Sequence, residues 1–294
     1  MSDRLQPIVA IVGAGEMGAA VGRRLRQSGA RVLTSLAGRS GESELRVRQA
    51  ELEVVDDDAA LVRDADFVLS IVPPGVAVAV AERYRASLAI AARQPIFADC
   101  NAVSPATARR IGDVLAGCRY VDAGIIGGPP PADLNAAGPR FYASGPHAPD
   151  FAKLAEFGLD IAVLDGPIGA ASGLKLSYAG LTKGITALGA AMVGAAARDG
   201  LGNALRSELA RTQPHILARL ERQIPAMFPK AYRWVAEMEE IAEFLGGDDR
   251  GAMIYKGAAR LYEQIAAQNE GGASAGAVRA LTDFCTKPAT RLSR

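Results

Sequence analysis

The sequence predicts an α/β protein: a doubly wound, mostly parallel sheet over residues 1–166, then an all-helical domain over 167–294 led by one long helix. Three observations carry that expectation. Apolar runs of strand length alternate with helical periodicity through the first half, the pattern that builds parallel sheets with crossover helices. A turn rich in glycine, GAGEMG, joins the first apolar run to the first helix. Beyond Gly166 the periodicity is helical and no convincing strand follows.

Taken in order, Ile8–Val12 reads as the first strand, and 18–28 as a helix with Val21 and Leu25 on one face. The second strand is 31–36, and Val54 with Val55 forms a short third. Residues 67–72 are continuously apolar, as a strand covered on both faces should be. Strands follow at 95–99 and 120–126 around a helix at 105–116, and at 141–144 and 161–164 around a helix at 149–157. From 168 to 198 the chain reads as one helix of ~30 residues, ~45 Å long at 1.5 Å per residue. Further helices are expected at 203–223, 230–245, 251–269 and 274–286. No internal repeat or low-complexity segment is evident.

Residues 8–18 read IVAIVGAGEMG, so Gly13, Gly15 and Gly18 make a G-x-G-x-x-G turn between a strand and an amphipathic helix. Gly13 permits the tight turn, Gly15 lets backbone approach a pyrophosphate, and Gly18 lets helix pack on strand. With Glu16 and Met17 between them, these residues place a dinucleotide at a helix N-terminus, where free N–H groups and the dipole favour phosphate. This is a Rossmann-type arrangement. An NAD site usually has an acid about 20 residues on, for the ribose 2′-OH. Here the second strand and its loop read RVLTSLAGRSGES: the first acid is Glu42, and Arg39 and Ser40 occupy the loop. An arginine there can pair with a 2′-phosphate, so NADP(H) is the expected cofactor, with NAD(H) as the alternative. Val72 and Pro73, closing the 67–72 run, join the cofactor set.

Composition narrows the remaining classes. Lys plus Arg is 33 and Asp plus Glu is 32, so no net field favours nucleic acid or an anionic membrane. Cys100, Cys118 and Cys285 are scattered and form no C-x-x-C, which argues against a zinc site or disulfide framework. The N-terminus lacks a secretory pattern, and the apolar stretch 184–197 is too short and glycine-rich to span a bilayer comfortably. A cytoplasmic protein with no metal, nucleic-acid or membrane partner is expected.

Four segments resemble the β-hydroxyacid dehydrogenases, the family of 3-hydroxyisobutyrate and 6-phosphogluconate dehydrogenases. They are GAGEMG; DCNAVSP from Asp99 to Pro105, similar to D-x-S-T-x-x-P; DAGIIGG from Asp122 to Gly128, similar to D-A-P-V-S-G-G; and GPIGAASGLK from Gly166 to Lys175, similar to the segment that ends in the family's catalytic lysine. The ASGLK…TKG pattern and the segment RWVAEMEEIA resemble a less characterised branch. The resemblance implies hydride transfer between nicotinamide and a carbinol or carbonyl carbon, a homodimer formed through the helical domain, and Lys175 in an interdomain cleft as general acid/base. The chemistry agrees: the hydroxyl proton must leave as the carbonyl forms, neither His147 nor His215 lies in a catalytic motif, and a desolvated lysine titrates nearer neutrality. On a helix, Tyr178 and Thr182 fall within about 60° of Lys175.

The departures bear on substrate. Tyr178 and Ala179 replace the asparagines after the lysine, and Ala171 replaces a glycine. Asn101 and Ala102 replace Ser-Thr, and Ile126 replaces a serine. Asn101, expected to touch both cofactor and substrate, retains two amide donors. Gly127 and Gly128 offer backbone N–H groups, and Pro129–Pro131 stiffen the loop behind them. Where the family has a Lys-Asp pair in the helical domain, this chain offers Arg233, Trp234, Glu237, Glu239 and Glu240. The expected activity is oxidation of a 3-hydroxy acid or reduction of the corresponding carbonyl. The alternatives are an imine reductase, whose group typically lacks the lysine, and a non-catalytic NADP(H) sensor.

Overall fold

The computed structural model describes residues 6–246, 248–270 and 276–286. The chain divides into two units, 1–176 and 177–294, each with its own packing.

In the first unit the strands are β1 (Ile8–Val12), β2 (Arg31–Ser35), β3 (Glu53–Val55), β4 (Phe67–Ser70), β5 (Ile96–Asp99), β6 (Arg119–Ile126), β7 (Arg140–Ser144) and β8 (Asp160–Val163). The helices between them are α1 (Glu16–Gln27), α2 (Gly41–Ala50), α3 (Asp58–Arg63), α4 (Ala77–Ile90), α5 (Pro105–Val114) and the short α6 (Ala148–Phe151). One eight-stranded sheet results, in the order β3-β2-β1-β4-β5-β6-β7-β8. The first six strands are mutually parallel; β7 runs antiparallel to β6, and β8 parallel to β7. Order reverses at β1, whose two neighbours β2 and β4 are reached by crossovers in opposite directions. In doubly wound sheets such a point opens a crevice at the strands' carboxyl ends.

Alternation along β1 feeds two cores. Val9 and Ile11 pack with Val21 and Leu25 of α1, whereas Ala10 and Val12 face Tyr84 and Leu88 of α4 and Ile111 of α5. Helix starts follow capping chemistry. Ser40 accepts from Ser43 N, Asp57 from Ala60 N and Ser104 from Thr107 N, with Pro105 at the first helical position of α5. α1 differs: Gly15 caps it and supplies no side-chain acceptor.

The second unit is helical throughout its described residues. α7 (Ala170–Arg198) begins in the first unit and runs for 29 residues. α8 (Gly202–Thr212), α9 (Pro214–Met227), α10 (Ala231–Phe244), α11 (Arg250–Glu270) and α12 (Gly276–Thr286) follow. The single helix expected at 203–223 is two helices. Pro214 has no N–H and drives Gln213 out of helical geometry, to φ −140° and ψ 54°, so α8 stops and α9 starts there. Glycines in α7 mark close crossings: a Cβ on Gly189 would lie 2.2 Å from Leu220 Cδ2 of α9, and one on Gly180 3.1 Å from the Tyr255 hydroxyl of α11. α7 is long and apolar enough to cross a membrane by length and composition alone, so the shorter span 184–197 understated it. Both of its lysines are engaged within the protein: Lys175 donates to Ile125 O and Lys183 pairs with Glu237.

A Cβ on Gly18 would sit 2.2 Å from Gly13 O, a backbone atom with nowhere to move. Gly18→Ala is expected to cost about 1–3 kcal/mol by overpacking, read as a lower urea midpoint at unchanged m-value.

Candidate active site

The turn after β1 is built for close approach. Gly13 has φ +91°, in the region that favours glycine, and a Cβ there would lie 2.4 Å from Ile71 O. A Cβ on Gly15 would meet nothing within 4 Å. The backbone at Gly15 therefore faces open space at the head of α1, whose first N–H groups have no side-chain cap. Glu16 is exposed in that first turn, and Met17 packs partly buried against the core. A pyrophosphate fits this cradle on geometric grounds.

The far end of the cradle lies past β2. A small pocket there is lined by Gly13, Ser35, Arg39, Asp58, Arg83 and Tyr84 among others. Arg39 is exposed; its backbone N–H donates to Leu36 O at 3.0 Å, and its guanidinium makes no side-chain hydrogen bond or ion pair among the described residues. Ser40 caps α2. Asp58 was not anticipated as a site residue. It is the first residue of α3, and its carboxylate accepts from Tyr84 Oη at 2.5 Å and from Arg83 Nε. The run Asp56–Asp57–Asp58 before a helix was the available signal, since it marks a strand-to-helix turn at the carboxyl end of β3.

The tips of β4 and β5 are joined through Asn101. Its Oδ1 accepts from Val72 N at 2.6 Å, and its Nδ2 donates to Ser70 Oγ at 3.2 Å and to Asp99 Oδ1. Asn101 is buried, so both amide donors expected for substrate are spent inside the fold. Its role in this geometry is to hold the Val72–Pro73 loop. Asp99 Oδ2 is buried without a partner. Burial, and then the charge of Asp122, push the Asp99 carboxyl up to about 8, against the pull of Asn101. Asp99 thus carries its proton at neutral pH, which costs far less in that setting than a bare charge.

Asp122 stands opposite Asp99 on β6 and is fully buried, but its oxygens are well supplied. Oδ2 accepts from Ser144 Oγ at 2.9 Å, Gly169 N at 2.9 Å and Ser172 N at 3.1 Å, and Oδ1 accepts from Ser172 Oγ at 2.5 Å. The carboxylate caps α7 from across the sheet. One turn on, Lys175 is fixed: a Cβ on Gly124 would lie 3.0 Å from both Ala171 O and Lys175 Cβ, so β6 and α7 touch backbone to backbone. Lys175 Nζ donates to Ile125 O. Burial lowers its ammonium to about 8.

Ile126, half-buried, ends β6, and the loop 127–139 leaves from it. Gly127 has φ +130°, and a Cβ there would meet Pro139 Cα at 2.9 Å, so the loop is pinched at its base. Its far side is fastened to α1. Arg24, buried, donates to the carbonyls of Leu134 at 2.7 Å, Ala136 at 3.0 Å and Asp133 at 3.2 Å, and Arg23 to that of Pro130 at 3.0 Å. Gly128 is exposed.

The other expected substrate residues belong to the second unit. Tyr178 is exposed, and Thr182 Oγ1 donates to Tyr178 O at 2.9 Å, back into its own helix. The acidic segment of α10 has a structural answer. Glu237 pairs with Lys183 of the TKG segment, whose ammonium lies 5.1 Å from the Trp234 ring centroid, and Trp234 stacks edge-on to Tyr262. A Lys–acid pair is therefore present in the helical unit, with its lysine drawn from α7.

Residues 8–157 match the model of the NAD binding domain of 6-phosphogluconate dehydrogenase, and residues 196–265 match a domain of unknown function (DUF1932). An uncharacterized 28.5 kDa protein in the 7S RNA 5′ region of Methanothermus fervidus is 25% identical over 258 residues, 87% of this chain and 98% of that protein. Among solved structures, the conserved protein MTH1747, described as structurally similar to 3-hydroxyacid dehydrogenases, is 27% identical with TM-score 0.68, over 93% of this chain and 99% of that one. Mycobacterium tuberculosis 3-hydroxyisobutyrate dehydrogenase with L-serine has TM-score 0.70 at 19% identity, over 96% and 98% of the two chains.

Asp122→Ala would leave Gly169 N, Ser172 N and two buried hydroxyls without their acceptor. At about 1–3 kcal/mol per orphaned group, partly relieved by water, a loss of about 3 kcal/mol or more is expected in chemical denaturation. Asp122→Asn should lose less.

Proposed function

Because the chain belongs to the family defined by the NAD binding domain of 6-phosphogluconate dehydrogenase, we propose that it is an NADP(H)-preferring oxidoreductase acting on a 3-hydroxy acid or a related alcohol–carbonyl pair, with Lys175 as general acid/base. The cofactor supplies the hydride acceptor or donor at nicotinamide C4. The chain's own residues hold it: the Gly13–Gly15 turn and the uncapped head of α1 take the pyrophosphate, and Arg39 with the N-terminus of α2 takes the 2′-phosphate. Asn101 keeps the Val72–Pro73 loop in place beside them.

The observation that carries the reading is Lys175. It is a half-buried lysine beside the strand that leads into Gly127–Gly128, its ammonium lowered by desolvation to about 8, with a single carbonyl as acceptor. Oxidation of the alcohol needs neutral Nζ to accept the hydroxyl proton as the C–H bond gives up its hydride. Reduction needs the ammonium to return that proton to the alkoxide-like oxygen. The first rate should rise, and the second fall, as pH passes through about 8.

Lys175→Met is expected to lower turnover by about 10²–10⁴-fold with NADPH affinity little changed. The assay is spectrophotometric, with a panel of small 3-hydroxy acids, bulkier alcohols and cyclic imines. An unaltered rate would remove Lys175 from the chemistry. Turnover of imines alone would favour the imine-reducing reading, and NADPH binding without any turnover would favour the sensor.

A homodimer through the helical unit belongs to the same proposal. Tyr178, Leu181, Ile185, Leu188 and Met192 are exposed at alternating three- and four-residue spacing along α7, an apolar seam of the kind that packs against another helix. Leu181→Glu combined with Leu188→Glu should give a monomer by light scattering.

A further inference from the structure

We propose that Asp58 and Arg83 form a charge-masking pair that sets cofactor preference: Arg83 spends the negative charge of Asp58, so that the pocket beyond β2 meets the 2′-position with net positive charge. This rests on the reading that the pocket holds the adenosine ribose of NADP(H).

The geometry is specific. Gly13 and the head of α1 fix where a pyrophosphate lies, and the ribose beyond it falls at the carboxyl end of β2. Ser35, Arg39, Asp58, Arg83 and Tyr84 line that pocket. The acid missing from the end of β2 is therefore replaced, in space, by an acid from the start of α3. Left bare, the Asp58 carboxylate would repel a 2′-phosphate and accept from a 2′-OH, reproducing the logic of an NAD site. It is not bare: Arg83 Nε donates to Oδ2, and Tyr84 Oη donates to Oδ1 at 2.5 Å. Tyr84 is buried and keeps its proton, since burial first and then the Asp58 hydrogen bond raise its hydroxyl well above the usual range. With Asp58 answered in this way, the Arg39 guanidinium faces an incoming phosphate without a competing anion. Arg83 is half-exposed at 51% and sits on α4, so its removal spares both cores.

The test measures NADPH and NADH affinity directly, by cofactor fluorescence at low salt, and needs no substrate. Arg83→Ala should weaken NADPH about fivefold, the scale of one uncovered charge a few ångströms away in a water-like medium, and leave NADH unchanged or tighter. Asp58→Asn should tighten NADPH and leave NADH unchanged or weaker. The double variant decides the mechanism. If Arg83 acts by masking Asp58, Arg83→Ala with Asp58→Asn recovers NADPH affinity toward the wild-type value. A double variant as weak as Arg83→Ala alone would overturn the proposal, because Arg83 would then be a direct phosphate ligand. So would an Asp58→Asn variant with both affinities unchanged and a normal thermal melt. Wild-type protein that binds the two cofactors equally, together with Arg39→Ala weakening both alike, would instead overturn the NADP(H) reading. The double-variant recovery is a difference within one cofactor and is read separately from that outcome.

Discussion

The carboxylate of Asp122 is the interaction on which the candidate site depends. It lies within the sheet with no access to water, and four donors from three residues in two segments converge on it. A buried charge of this kind is tolerable only when its hydrogen bonds are complete. Completing them forces the start of α7 against β6, places Ser144 of β7 beside it, and leaves Gly124 as the residue over which the helix can pass. Lys175 is positioned as a consequence: its Cα is fixed by the cap one turn earlier, and its ammonium finds the carbonyl of Ile125 on the strand that Asp122 itself belongs to.

The neighbouring carboxyl shows the opposite solution. Asp99 stands in register with Asp122 across one strand gap, yet has a single donor, from Asn101. Two adjacent anions in a dry sheet would repel strongly, and burial together with the neighbouring Asp122 pushes the Asp99 carboxyl up toward its neutral form. Asn101 ties the neutral partner to Ser70 and to the loop after β4. Ser70, Asp99, Asp122 and Ser144 thus form a buried polar row in register across four adjacent strands. It runs beneath the carboxyl ends of the parallel strands, where doubly wound folds collect their ligands.

Much of this was legible in the chain. The strands announced themselves as apolar runs, and the glycine turn could be assigned atom by atom because each glycine answers a separate steric demand: Gly13 by its φ, Gly15 by the space before it, Gly18 by its contact with Gly13 O. What escaped was whatever depends on the third dimension. α4 begins AVAVA, which alternates like a strand and carries no cap, so its helical state is decided by the sheet it covers. Asn101 looked like a free donor because one of its acceptors, Ser70, is brought to it by the pairing of β4 with β5. Asp58 lies beyond the second strand and reaches the pocket past β2 only because α3 packs against β2. The partner of Glu237 was similarly hidden: Lys183 lies 54 positions away and meets it through helix packing.

The clamp of Arg24 on the loop 127–139 has a consequence for how this family can change. Among the described residues, the guanidinium's hydrogen bonds to that loop all go to main-chain carbonyls. Carbonyls are common to every amino acid, so positions 131–136 can be rewritten while the loop keeps its course along α1. A loop held by its backbone is free to vary its chemistry without renegotiating its shape. Paralogues of one ancestral scaffold could in this way come to recognise unrelated molecules, with the inherited grip on the loop intact.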